Sequence, residues 1–224
     1  VGLDGVACFT DAIEAAAQSL VKKGAEVAPE HIDLIAGSIE ALSSFLESLI
    51  NGAPNVPLKL YPQYSNIKEI MGQNASPIDL FFPNLHISPV IHTAHTHIKD
   101  HELSNYLRQQ RTRFQAGLVQ FLRTQSQTGL QNMYHVLRNV VRVQTISAQR
   151  LFWWVATGFV ESLTNPNEND AAIANSLLTR IDLQLKRAAY GSNKVTERLF
   201  RDLLYHIGMS HVETETVRLI RQAF

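Results

Sequence analysis

The chain has 224 residues, of which 45% are apolar, and it carries 20 acidic and 20 basic side chains. This composition excludes an intrinsically disordered chain, and a chain of this length folds without help from a metal or a disulfide. The single cysteine, Cys8, excludes an internal disulfide framework and favours a reducing compartment. No apolar run approaches the roughly 18 residues of a membrane span. We therefore expect a cytoplasmic protein without a membrane partner, and the start at Val1 indicates a segment of a larger protein.

The prolines divide the chain into three regions. Six of the eight prolines lie between positions 54 and 89. Because a proline inside a helix costs about 3 kcal/mol, we expect long helices only on either side of this stretch. The sequence therefore predicts a helical hairpin over 1–53, a proline- and histidine-rich connector with a short helix over 54–100, and a helical bundle over 101–224.

The N-terminal region carries two apolar stripes with helical spacing. The first begins near Val6, with Asp4 placed to cap the helix and Gly24 placed to end it. The second lies between Pro29 and Gly52 and alternates steps of three and four over Ile32, Ile35, Ile39, Leu42, Leu46 and Leu49. The short link predicts an antiparallel hairpin. Because the second stripe is apolar at both heptad steps, we expect it to pack against something beyond the hairpin.

After position 100 the helical pattern continues with few breaks. Successive apolar stripes are interrupted at Pro166, Gly191 and Gly208, among other positions. Ser210 and Glu213 have the spacing of a capping box, which predicts the start of the last helix. No segment shows a sustained alternation of period two. We therefore predict an all-α multi-helix bundle, with about six helices in the C-terminal region.

Two adjacent tryptophans indicate which helix is central. Trp153 and Trp154 point about 100° apart on a helix, so both are buried only if other helices surround this one on most sides. Gly158 lies one turn later, where a neighbouring helix can approach closely. We expect a central tryptophan helix. The alternative is that one indole anchors a partner as an interface hot spot.

Charge is balanced in total but not along the chain. Residues 1–100 carry 11 acids and 5 bases, whereas residues 101–224 carry 9 acids and 15 bases, including all 13 arginines. A nucleic-acid surface is one interpretation of this excess. However, the arginines are spread over six predicted helices and alternate with Glu and Asp, which is typical of solvated helix faces. We therefore expect no nucleic-acid partner.

The motifs that usually mark helical enzymes are missing from the sequence. It contains no Glu-x-x-His, no HExxH, no His-Asp pair, no Asp-rich cluster and no glycine-rich phosphate loop. The sequence thus predicts no catalytic residue and no cofactor.

Histidines form the one local cluster with metal-binding potential. Five of the nine histidines fall between His86 and His101. Neutral imidazoles in such a group bind zinc or nickel, and the candidate ligands are His92, His95, His97 and His101. The alternative interpretation is a polar connector that happens to be rich in histidine and threonine.

Several segments resemble a known signalling family. Residues 1–7 (VGLDGVA) look like the stretch after the phosphoacceptor helix of histidine phosphotransfer (Hpt) domains. Residues 76–85 (SPIDLFFPNL) resemble a signature in the N-terminal region of CheA-like chemosensory kinases that control type IV pili, the ChpA/PilL type. Four further resemblances are RTRFQ at 111–115, AQRLFWWVA at 148–156, RIDLQ at 180–184 and VTERLFRDLLY at 195–205. The pilus scaffold protein FimL carries a similar region.

The resemblance implies a non-catalytic helical segment that regulates or scaffolds two-component signalling in pilus chemotaxis and twitching motility. The N-terminal hairpin would be Hpt-like, and the partners would be proteins of the chemosensory or pilus system. An Hpt histidine should lie roughly ten residues before Val1, and His95 and His97 lack the lysine three residues later that the pattern requires. A phosphotransfer module whose histidine precedes Val1 is the first alternative. A helical metal-binding protein that uses the His86 to His101 cluster is the second.

Partner contacts are predicted only coarsely. Exposed arginines of the later helices, Arg198 and Arg201, are the candidates for partner binding. Pairing with the neighbouring Glu197 and Asp202 is an equally good explanation for both.

Overall fold

Helices make up nearly all the regular structure of the chain. A computed structural model describes residues 2–23, 28–164 and 171–224, and these residues form nine α-helices, two short 3-10 turns and no strand. The all-α prediction is confirmed. The chain divides into two compact units, Val1–Pro83 and Asn84–Phe224. Gly24 and Pro166, two predicted helix ends, lie outside the described residues.

The described residues of the first unit form three helices: α1 (Asp4–Lys23), α2 (Pro29–Ile50) and α3 (Tyr61–Ile70). The described starts of α1 and α2 fall where the sequence predicts them, with Pro29 in the first turn of α2. The 3-10 turns Pro57–Leu60 and Pro77–Leu80 bring further apolar side chains to the core of this unit. The most buried residues of this apolar core are Phe9, Ala12, Ala16, Phe45, Leu60, Tyr64, Ile67 and Leu80.

The part of the second unit that the structure describes forms six helices, in agreement with the predicted number for the C-terminal bundle. They are α4 (Asp100–Thr124), α5 (Gln127–Val143), α6 (Ser147–Ser162), α7 (Ala171–Ala189), α8 (Glu197–Met209) and α9 (Glu215–Ala223). The prediction that Ser210 caps the last helix is wrong. Thr214 is the cap, because its hydroxyl accepts a hydrogen bond from the Val217 amide over 3.2 Å.

Helix α6 is central, as the tryptophan pair predicts. All ten residues from 151 to 160 are buried, and α6 packs against α5, α8 and α9. Trp153 and Trp154 are only 1% and 6% exposed, so the alternative of a surface indole anchor is wrong. Gly158 allows the close approach that the sequence indicates, because a Cβ atom there would lie 2.3 Å from Cδ1 of Ile220 in α9.

An extended segment precedes α4, within the stretch 54–100 that the sequence predicts as a connector. Residues 84–99, here called the strap, form no helix and lie along the second unit. The Thr96 amide donates to the Arg142 carbonyl over 2.8 Å, and the Arg150 guanidinium donates to the Thr93 carbonyl. Alternate strap residues are half-buried, from Leu85 to Thr93. Because the backbone is extended, every second side chain turns toward the helices.

Candidate interaction surfaces

The polar residues of two sequence motifs bind each other across the bundle. Arg111 of RTRFQ on α4 donates to both carboxylate oxygens of Asp182 in RIDLQ on α7, over 3.0 and 2.8 Å. Gln115 adds a third hydrogen bond to Asp182 over 3.2 Å. The two charged side chains are 27% and 15% exposed. A paired arginine in this fork geometry fixes the relative position of α4 and α7.

The motif at 195–205 and the loop before α8 are joined to RIDLQ on α7 in the same way. Arg180 on α7 forms an ion pair with Asp202 on α8. The buried Gln184 donates to the Lys194 carbonyl over 2.6 Å and accepts from the Thr196 hydroxyl over 3.1 Å. Each of these bonds links α7 to α8 or to the loop before it. The motif side chains thus connect helices with one another instead of converging on a reaction centre.

The two candidate arginines for partner binding lie in different surroundings. Arg198 is exposed on α8, whereas Arg201 is half-buried. The Asp202 carboxylate binds Arg180, and its pairing with Arg201 stays a prediction. Successive helical residues point about 100° apart, so neighbours on a helix do not face each other. Of the two, Arg198 is the more accessible to a partner.

The histidines of the predicted cluster lie along the strap and the start of α4. His92, His95, His97 and His101 are all exposed. The one contact of note is between His101 Nε2 and Glu102 Oε1, which lie 3.6 Å apart on the surface. Within residues 2–23, 28–164 and 171–224 there is no group of three or more His, Cys, Asp or Glu that could hold a metal ion. The structure therefore does not bring these four imidazoles together.

A polar cleft that no sequence motif indicates lies between the strap, α5, α6 and α9. Its volume is about 270 Å³, and its charged lining residues are Arg138, Glu161 and Glu215. The Glu161 carboxylate accepts hydrogen bonds from Thr214 over 2.6 Å and from Thr216 over 3.3 Å. Burial, followed by the charge of Glu161, raises the pKa of Tyr134. The carboxylate is thus used to hold the start of α9 against α6.

The only cysteine lies in a cleft of the first unit, between α1 and α3. Cys8 is half-buried and interacts with the Tyr64 hydroxyl, and that hydroxyl lies 3.5 Å from Asp79 Oδ2. Burial raises the pKa of the Cys8 thiol. Because the thiolate is the nucleophilic form, this cysteine is a poor nucleophile at neutral pH.

The apolar stripe of α2 is only partly covered within the first unit. We call its residues the α2 face: Ile32, Ile35, Ile39, Leu42, Leu46 and Leu49. None of them is fully buried, whereas Ser38 and Phe45 of the same helix are. Ile32 is 58% exposed and Ile39 is 49% exposed. Part of the predicted packing beyond the hairpin is present, because α2 contacts α3 and four residues of the face pack against the core of the first unit: Ile35, Leu42, Leu46 and Leu49. Ile32 and Ile39 leave apolar surface open.

These features define a class of protein. It is an all-helical chain in its described residues. Its motif residues form ion pairs and hydrogen bonds between helices, and exposed helix surfaces remain for contacts with other proteins. No helix within the described ranges is long and apolar enough to cross a bilayer.

The comparison with protein families agrees with this class. Residues 99–224 match the family model of the FimL scaffold protein second domain, and these residues include all of α4 to α9. The chain belongs to the FimL scaffold protein family. No curated protein and no solved structure matches the chain. The predicted relation to FimL is confirmed, whereas the relation to CheA-like kinases stays a prediction.

Proposed function

We propose that this chain is a non-catalytic scaffold segment in the chemosensory signalling that controls type IV pili. It would act through helix faces that bind other proteins of that system, in the cytoplasm. The observation that carries the proposal is the match of residues 99–224 to the second domain of the FimL scaffold protein.

The hydrogen-bond pattern of the second unit supports a role in binding over a role in chemistry. Arg111, Asp182, Arg180 and Asp202 are used in ion pairs between helices. Glu161 in the polar cleft receives hydroxyl donors from Thr214 and Thr216. A general base or a metal ligand needs a free position toward a substrate, and these carboxylates are already bonded.

The match also bears on the parent protein. It is a match to the scaffold relative, which favours a small scaffold parent over a CheA-like histidine kinase. An Hpt-like role for the first unit remains the alternative function within the same signalling system. It requires a phosphorylated histidine upstream of Val1.

Affinity capture tests the proposal. The chain is fixed to a resin, exposed to a lysate of the cells that make it, and compared with an unrelated helical bundle of similar size and charge. We expect chemosensory or pilus proteins to be enriched, and we expect the intact mass of the endogenous protein to be that of a small scaffold. A parent that contains an ATP-binding kinase domain would contradict the scaffold assignment. Enrichment of no protein from either system would contradict the function itself.

A further inference from the structure

The open part of the α2 face is formed by Ile32 and Ile39, since its other four residues pack partly against the core of the first unit. Ile32 and Ile39 are one heptad apart, and both expose about half of their surface or more. The next residue in this row, Leu46, is half-buried. Single exposed apolar residues are normal, but a row in helical register is the pattern by which one helix packs on another.

A row of carboxylates borders this face. Asp33, Glu40 and Glu47 each directly follow a residue of the apolar row, recur every seven residues, and are all exposed. Helix α2 also contains Glu30 near its start, and it contains no lysine and no arginine. A helix that packs on the face therefore lies beside an uninterrupted acidic edge. Lysine or arginine in the partner would be attracted to this edge, and acidic residues would be repelled.

We infer that the α2 face docks one amphipathic helix of a partner protein, with lysine or arginine on the side that meets Asp33, Glu40 and Glu47. A second copy of this chain is the less favourable occupant. It would bring its own α2 carboxylates to the same contact, with no cation on either α2 helix to pair with them. The inference deepens the proposed scaffold function, because it names a kind of partner for the unit that the family match does not include. The inference rests on the proposed function in one respect, namely that the partner is a protein.

A designed peptide pair tests the docking directly. The probe is a 21-residue helix with leucine at the a and d positions and lysine at the flanking positions, and its twin carries glutamate in place of lysine. Binding of both peptides to the whole chain is measured by fluorescence anisotropy at low salt. We expect the lysine peptide to bind about tenfold or more tightly than its twin, since charge sets the choice of partner.

Variants of exposed residues locate the binding surface. The double variant Ile32→Ser/Ile39→Ser should weaken binding of the lysine peptide by about tenfold or more, because it removes two central apolar contacts. The control is Ile173→Ser on α7, which changes an isoleucine that is 46% exposed in the second unit. It should leave the affinity unchanged. The triple variant Asp33→Lys/Glu40→Lys/Glu47→Lys should prefer the glutamate peptide.

Three results would overturn the inference. The first is no binding of the lysine peptide at about 100 μM, and the second is equal binding of the two peptides. The third is equal affinity of the wild-type chain and the double variant for the lysine peptide, when circular dichroism shows that both are folded. Concentration-dependent dimers that disappear in the double variant would assign the face to a second copy, and would also overturn it. The peptides are designed sequences and are not taken from a pilus protein. The peptide experiment can therefore fail while the affinity capture succeeds, and the reverse is also true.

Discussion

The close contact between α4 and α5 allows a prediction about stability. A Cβ atom on Gly117 would lie 2.8 Å from the Gly129 carbonyl oxygen, 3.1 Å from Met133 Cγ and 3.2 Å from Asn132 Cβ. The nearest of these is a backbone atom, which moves only if a whole helix moves. Gly117→Ala must therefore separate α4 from α5 by several tenths of an ångström. Overpacking of this kind typically costs about 1 to 3 kcal/mol, and the better helix propensity of alanine returns up to about 1 kcal/mol.

The expected net loss for Gly117→Ala is about 1 to 2 kcal/mol, or about 3 to 6 °C in Tm for a unit of this size. Tryptophan fluorescence is the appropriate probe, because both tryptophans of the chain lie in α6 of the second unit. The matched control is Gly208→Ala, since a Cβ atom at Gly208 in α8 meets nothing within 4 Å. It should keep or raise Tm. A Gly117→Ala chain as stable as the wild type would refute the close contact.

Three further predictions follow from the contacts above. Asp182→Ala should lower the free energy of unfolding by about 2 to 3 kcal/mol in urea titrations, because it leaves Arg111 half-buried without its carboxylate, and a loss below about 0.5 kcal/mol would contradict the pairing. Thr214→Ala should cost about 1 to 2 kcal/mol, since it removes both the cap of α9 and a hydrogen bond to Glu161, and Thr179→Ala is an exposed helical control. Cys8 should react slowly with a thiol reagent at pH 8. Folding raises the pKa of the Cys8 thiol, so its contribution to the free energy of unfolding is fully present below the ordinary pKa of 9.0. That contribution is lost as the pH rises further, which unfolding curves measured at a series of pH values would show.

Helical periodicity predicts most of the fold, because the spacing of apolar residues shows which side of each helix is buried. The ends of α2 follow from Pro29 and Gly52, and the central position of α6 follows from two adjacent tryptophans. Local sequence patterns predict caps less well. Ser210 has the right spacing for a cap, but its hydroxyl binds the Ser162 carbonyl and the Val212 amide, and Thr214 caps the helix instead.

Contacts between distant residues could not be predicted from the sequence. The strap is held by the Thr96 backbone bond to α5 and by Arg150, so its position depends on helices that come later in the chain. The Glu161 cluster joins residues more than 50 positions apart. The motif at 180–184 was visible as a resemblance, but only the structure shows that its Asp182 binds Arg111. Periodicity carries no information about such pairs, because each partner lies on a different helix.

The central claim is that the polar motif residues hold the helices of a scaffold in place and do no chemistry. A charge swap tests it most directly, in cells whose own copy of this protein carries Arg111→Asp, Asp182→Arg or both, with twitching motility as the readout. We predict that each single variant loses motility, because two like charges then face each other between α4 and α7. The double variant should recover it, because the ion pair forms again with its ends exchanged. Loss of motility in a double variant that melts at the wild-type temperature would show that the two residues do more than hold α4 and α7 together, and would contradict the account.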